Sequence, residues 1–355
     1  MKLLTRPKNF RLFPLFFLLV LTLFYTACTK DDDTPKKLVA STVTQGVPGS
    51  IGIEVDAKGN IWATESGTAT ADSSGNTHND NGKVVLVTPD GKQQDAIINL
   101  SSYANAVSHE VQGTVHLMLD GTTLYILSGD YLYHVDISAY KFGDAPIDGK
   151  TLEKEDVASV VRAIPGDNNP DKDSHPYNMT KGPNGDIYIA DAGANAIVHR
   201  TAANQFSVLA TFPALDNPLF PGLGGPKVQV VPTSIRYDGS NFLVTALTGF
   251  PFPQGKAVVY KVSPTGAVST YQSNFTALVD QAAGNSAGAL VLQHSGAFVL
   301  PAGFDAGSGA VIQINGTTAT VLQDSLALPT GIKQVGTDTW YITSLTGKIT
   351  KLHYE

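Results

Sequence analysis

The chain has 355 residues, only 15% of them charged, and a formal net charge of −7. A typical globular protein carries about 25% charged residues, and an acidic balance argues against nucleic acid as a partner. A single cysteine excludes an intramolecular disulfide, so the fold must stand on its core alone.

The N-terminus is basic. Lys2, Arg6, Lys8 and Arg11 come before the first acid, Asp31. The apolar run from Leu15 to Phe24 is too short for a bilayer crossing, which needs about 20 residues, but suits the core of an export signal. Thr26 and Ala27 then precede Cys28. The stretch resembles a bacterial lipobox, with Tyr25 where leucine is usual. The expectation is a signal peptide over residues 1–27 and membrane attachment through a lipid on Cys28; a plain secretory signal is the alternative. Residues 28–37, "CTKDDDTPKK", read as an acidic, solvated tether. Three aspartates this close to the lipid site resemble the surface-export signal of some Gram-negative lipoproteins. That points to an outer-membrane lipoprotein on the cell surface rather than facing the periplasm. Loss of residues 1–27 removes four positive charges and no acid, taking the net charge from −7 to −11.

From residue 38 onward, six segments repeat one plan: a short strand, a turn rich in Gly, Asn or Asp, then an aromatic or aliphatic strand. They include "IGIEVDAKGNIWATES", "VHLMLDGTTLYILSGD", "NMTKGPNGDIYIADAG" and "SIRYDGSNFLVTALTG". Most continue into a third strand and several into a fourth. Four antiparallel strands at a period of about 40 to 60 residues mark β-propeller blades. The expected fold is all-β, a six-bladed propeller over residues 38–355. The last repeat stops after three strands, and Leu38 to Thr44 is predicted to supply the fourth, closing the ring and removing an open edge.

Strands a to d of each blade run from the channel outward, so the b–c and d–a connections share one face. The a–b turns are short and uniform; the b–c loops are not. Blade 1 carries a long polar loop there, blade 4 carries "GFPFPQGK" and blade 5 "AGFDAGSG". Proline and glycine forbid a helix or central strand in "GFPFP", so Phe250 and Phe252 belong to a stiff loop. Phe304 is expected beside them. Two readings stay open: the rings plug the channel mouth or blade edge, or they wall a ligand pocket or partner patch.

Residues 151–164, "TLEKEDVASVVRAI", space their apolar residues as a short surface helix before Pro165, although "VASVVRAI" also suits a fourth strand. Next, Asp167, Asn169, Asp171 and Asp173 alternate in a manner that suits Ca²⁺. Lys172 and Asn178 stand where an EF-hand loop needs Gly and Glu, and an ordinary Asx-rich loop is the plainer account. Strand a begins at the channel with "HPYNM", "VPTSI" and "LPTGI". The polar groups near these starts are His109, Glu110, His175, Tyr177, Asn178 and Thr233. They are the weak catalytic or binding candidates, without a clear carboxylate cluster. No GxSxG elbow occurs.

Together, "LTGFPFPQGKAVVYKV", "NNPDKDSHPYNM" and the long loop of blade 1 resemble the ScyD/ScyE family of secreted propellers, related in plan to NHL-repeat proteins. Lys172 and His175 stand where that family often has Gly and Asn. The resemblance implies export and the propeller fold; the family has no agreed catalytic residues to carry over. Related propellers that act as lactonases hold a metal at the start of strand a. The expected function is a ligand-binding or assembly module of the cell envelope, its partner a small molecule, a glycan or an envelope protein. The alternative is a lactonase-like hydrolase or lyase with its site at the channel mouth, and a third reading is a purely structural envelope protein.

Overall fold

The computed structural model describes residues 37–68, 77–104, 111–165, 169–284 and 288–355. Cys28 and the signal peptide, nearly all of the tether, His109, Glu110 and Asp167 lie outside them.

Blade 3 shows the unit in its simplest form. Strands Pro176–Lys181, Ile187–Asp191, Ala196–Ala202 and Gln205–Thr211 pair in chain order, each antiparallel to the last. Blade 4 repeats it with Pro232–Tyr237, Phe242–Ala246, Ala257–Val262 and Val268–Phe275. Blade 5 uses Leu278–Ala283, Ala289–Gln293, Gly309–Asn315 and Thr318–Leu326. Blade 1 takes Ile53–Val55, Ile61–Glu65, Gly82–Val87 and Gln93–Leu100, and Ile147–Asp148 adds a short parallel strand on its outer edge. Blade 2 takes Thr114–Asp120, Thr123–Ser128, Tyr131–Asp136 and Lys154–Asp156. Six such blades form a β-propeller.

Blade 6 ends the chain with Pro329–Val335, Thr339–Ser344 and Lys348–Tyr354. Its fourth strand is Leu38–Gln45, paired antiparallel from Leu38 opposite Tyr354 to Gln45 opposite Lys348. The predicted strand exchange is thus present, one residue longer than read from sequence.

The segment at 151–164 is both things it resembled. Lys154–Asp156 is strand d of blade 2, and Ala158–Arg162 is one helical turn. The turn is at the surface on one face, where Ser159 is exposed, while Val157, Ala158 and Val161 are buried between blades 2 and 3. Its Arg162 forks onto both oxygens of Asp130, at 2.8 and 2.9 Å.

Alternation explains the core. Successive side chains on a strand point to opposite faces. On strand b of blade 2, Leu124 and Ile126 pack toward blade 1, while Tyr125 and Leu127 pack toward blade 3. The second strand of each blade is largely buried on both faces, so it is mostly apolar, while outer strands such as Thr318–Leu326 are largely exposed. The core accordingly divides into six clusters, one in each seam between neighbouring blades.

Strand a has an irregular start that sets what faces the channel. In blades 3 to 6 its register against strand b shifts at the second residue: Tyr177, Thr233, Val279 and Thr330. Such bulges re-aim the side chains that follow. Proline holds the first position in three of these blades, the place a strand tolerates it. The bulged threonines stitch blades together: Thr233 Oγ1 donates to Leu278 O at 2.9 Å, and Thr330 Oγ1 to Ser50 O at 2.6 Å. The third position is Gly331 in blade 6, because a Cβ there would stand 2.3 Å from Ile51 O of blade 1.

Candidate functional site

The "GFPFP" loop is built on a backbone stem. Leu247, Thr248 and Gly249 donate their amides to the carbonyls of Val231, Val230 and Gln229, at 3.0, 3.0 and 2.9 Å. A turn then closes with Phe252 N on Gly249 O at 2.8 Å. Pro251 and Pro253 are buried and fix the loop from below. Thr248 and Phe252 adopt φ of +74° and +53°. Such values are rare for a β-branched or bulky residue and are sustained only where the surroundings impose them. Val231, at +55°, belongs to a different pattern. Ala277 and Leu328 share its conformation at the same place, one residue before strand a, so that bend is part of the propeller.

The loop presents its rings edge to face. Phe252 sits 4.8 Å, between ring centroids, from both Phe298 and Phe304, which come from a small hairpin in the b–c loop of blade 5. Phe250 stands edge-on to Phe252 and Phe298 at 6.2 and 6.1 Å. His294 closes the far side of the cluster against Phe304, its Nδ1 2.9 Å from Pro329 O. Phe252, Phe298 and Phe304 are half-buried, but Phe250 is 49% exposed. An inner layer of rings packs across the b–c loops of blades 4 and 5, and one ring remains half in solvent.

A cavity of about 270 Å³ lies against Phe250 and Phe252. Its polar side chains are Gln112, Asp173, His175, Gln229 and Thr248. Burial lowers the His175 pKa to about 4, so the imidazole is neutral, and its Nε2 has no hydrogen-bond partner. The residue is positioned by Asp191 at the end of strand b, which accepts from Ser174 Oγ, His175 N and Ala194 N at 2.8, 2.8 and 2.9 Å. Burial raises the Asp191 carboxyl to about 6. It also raises Asp173, against the Ser174 amide that favours its charged form. Gln112 is held by Tyr103, whose hydroxyl also reaches Asp130 at 3.1 Å.

The remaining sequence candidates are placed elsewhere. Tyr177 packs in the seam of blades 2 and 3, edge-on to His175 at 5.4 Å. Thr233 is buried and stitches blade 4 to blade 5. Asn178 points into the channel, where Nδ2 donates to Asp280 Oδ1 at 3.1 Å. In the Asx-rich loop, Asn169 spends its amide on Val161 O and Asp173 O and its carbonyl on Asp173 N. Asp171 is exposed. Among the described residues no three His, Cys, Asp or Glu side chains are grouped to hold a metal ion. Sequence reading missed Asp191, Phe298 and Asp280. "IADAG" and "SGAFVLPAG" carry the first two, but neither looks unusual without the loops it meets.

No family model matches the sequence, and no curated protein matches it. The fold is that of known six-bladed propellers. A structural genomics protein of unknown function from Bacteroides thetaiotaomicron is 12% identical, over 90% of this chain and 76% of that one, with a TM-score of 0.59. The PQQ-bound aldose sugar dehydrogenase of Streptomyces coelicolor is 12% identical over 90% and 99%, with a TM-score of 0.52. A streptogramin B lyase is 14% identical over 90% and 98%, with a TM-score of 0.51. At these identities the likeness is one of fold.

Proposed function

We propose that this protein is an exported, lipid-anchored propeller of the ScyD/ScyE type that binds a ligand of the cell envelope on its b–c face. The half-exposed Phe250 beside a cavity of amide, hydroxyl and imidazole groups carries the reading. A flat apolar wall with a few convergent polar groups is the usual make-up of a ligand pocket. Ring faces and side-chain amides together suit a glycan better than a lipid tail. The chain order supports an outward-facing site. Leu38 pairs with Tyr354 at the c–d end of blade 6, so the chain enters the propeller on the face opposite the rings. Cys28 lies ten residues earlier, a reach of at most about 35 Å. A lipid there would be joined to the propeller through the end of strand d on the a–b side, at the other end of that strand from the b–c loops.

The test is a screen of envelope glycans and metabolites against the wild type and Phe250→Ala. A ligand that binds the wild type and is lost on the variant, with an unchanged melt, supports the site. Equal binding by both removes it. Cell fractionation of Cys28→Ser checks the anchor: release from the membrane is expected.

A second reading is a lactonase-like hydrolase or lyase at the same pocket. His175 is the group on which it rests: its unpartnered Nε2 lies in the cavity that Asp173 also lines, although a pKa lowered to about 4 makes the neutral imidazole a weak base. Turnover of a screened ligand that His175→Ala abolishes without loss of binding would select this reading over simple binding.

A further inference from the structure

The other mouth of the channel holds a separate cavity, of about 310 Å³, lined by strand a of all six blades. Its polar groups fall into two sets. The first is already satisfied. Asp280 accepts from Asn178 Nδ2, Ser234 Oγ and Ile332 N at 3.1, 2.8 and 2.8 Å. Glu54 is held by Lys333 at 2.6 Å. The second set is not. Arg236 Nε, His116 Nδ1 and Gln281 Oε1 are buried without a hydrogen-bond partner, and all three residues line this cavity. Buried polar atoms almost always have partners, so three orphans around one space call for something to fill it.

Arg236 decides the chemistry. Its guanidinium keeps its charge at any ordinary pH, yet among the described residues no carboxylate forms an ion pair with it. Asp280 is saturated by its own donors, and Glu54, on the opposite blade of the ring, is taken by Lys333. Asp238 attracts it only at a distance. A guanidinium presents a planar fork matched to a carboxylate. Gln281 Oε1 then needs a donor such as a hydroxyl, and His116 Nδ1 can pair with a hydroxyl in either tautomer. The volume is at the lower end for ligand pockets and suits a single small molecule.

We propose that the a–b mouth of the channel binds a small hydroxy-carboxylate, its carboxylate on Arg236 and its hydroxyls toward Gln281 and His116. This site is independent of the aromatic pocket, which opens on the other face.

Calorimetric titration with glucuronate and with L-malate tests it, with glucose as the uncharged control. Saturable binding of at least one acid, absent for glucose, is expected. Arg236→Gln should weaken that binding at least tenfold, and Phe250→Ala should leave it unchanged. If Arg236→Gln does not fold, Arg236→Lys keeps the charge without the fork and should bind several-fold more weakly at a near wild-type melting temperature. Failure of both acids to bind, equal binding of glucose, or wild-type affinity in the folded Arg236 variant would overturn the proposal.

Discussion

Asn178 donates to Asp280 at 3.1 Å across the channel, although 102 residues separate them in the chain. The same carboxylate takes Ser234 of blade 4 and the Ile332 amide of blade 6, so one acid of blade 5 ties together four of the six blades. It is 4% exposed.

Burial raises the Asp280 pKa from 3.8 to about 6 against these hydrogen bonds. A raised acid favours the folded state only when protonated. Its contribution is full below about pH 3.8 and is lost as pH rises through 6. The shift is worth about 3 kcal/mol. In Asp280→Asn that dependence disappears, and one amide N–H group faces a donor at a cost of about 1–3 kcal/mol. The stability difference between wild type and variant should therefore grow in favour of the wild type by up to about 3 kcal/mol from pH 7 to pH 4. Urea unfolding across that range checks it. A constant difference would contradict the assigned environment.

Removing residues 38–45 strips strand d from blade 6 and exposes the edge of Lys348–Tyr354. It also uncovers apolar packing by Leu38 and Val43. Several kcal/mol of seam burial and ladder bonds go together, and each kcal/mol moves the melt by about 2–4 °C in domains of 150–250 residues. A fall of about 10 °C or more and a tendency to associate through the open edge are expected by scanning calorimetry and light scattering.

Phe250 and Phe252 should separate. Phe252→Ala removes a packed ring from the Phe298 and Phe304 cluster and should cost about 2–4 kcal/mol. Phe250→Ala removes a ring that is half in solvent and should cost about 1 kcal/mol or less. Thermal melts of the two variants read this directly. An equal loss in both would mean that Phe250 is a packing residue after all.

Glu155 of blade 2, 2% exposed, accepts from Arg200 Nε and Nη2 of blade 3 at 2.8 and 2.7 Å and from Asn204 N at 2.7 Å. Burial opposes its charge, but the Arg200 fork wins and its pKa is lowered. Arg200→Ala leaves the carboxylate buried and unpaired, at about 3–5 kcal/mol. Because the native carboxyl is lowered, the wild-type pair loses stability as pH falls through its pKa, the reverse of Asp280. The double variant Arg200→Ala with Glu155→Leu should recover most of the loss in the same unfolding assay.

Much of the fold was readable from residue order because propeller strands are local. Each turn joins neighbours in sequence, and Gly, Asn and Asp mark those turns by their own backbone preferences. The missing fourth strand of the last repeat made the closure legible too. The helical turn at Ala158–Arg162 was half-read: its spacing showed a helix, but not that Val157 and Val161 face a seam.

The sites were less legible. Proline and glycine in "GFPFP" determined a stiff loop with two rings, since those residues restrict φ wherever they occur. Which ring packs and which stays wet depended on Phe298 and Phe304, more than 40 residues on. The sequence places both Asn178 and Thr233 at strand starts that face the channel, yet the bulge in strand a turns only Asn178 into it and sends Thr233 into a blade seam. Arg236, Gln281 and His116 share a cavity only because the ring closes. Sequence by itself determined the repeat, the turns and the rigid loop, which rest on interactions a few residues apart. Tertiary structure alone decided which polar groups meet, because a closed ring brings strand a of every blade to one axis.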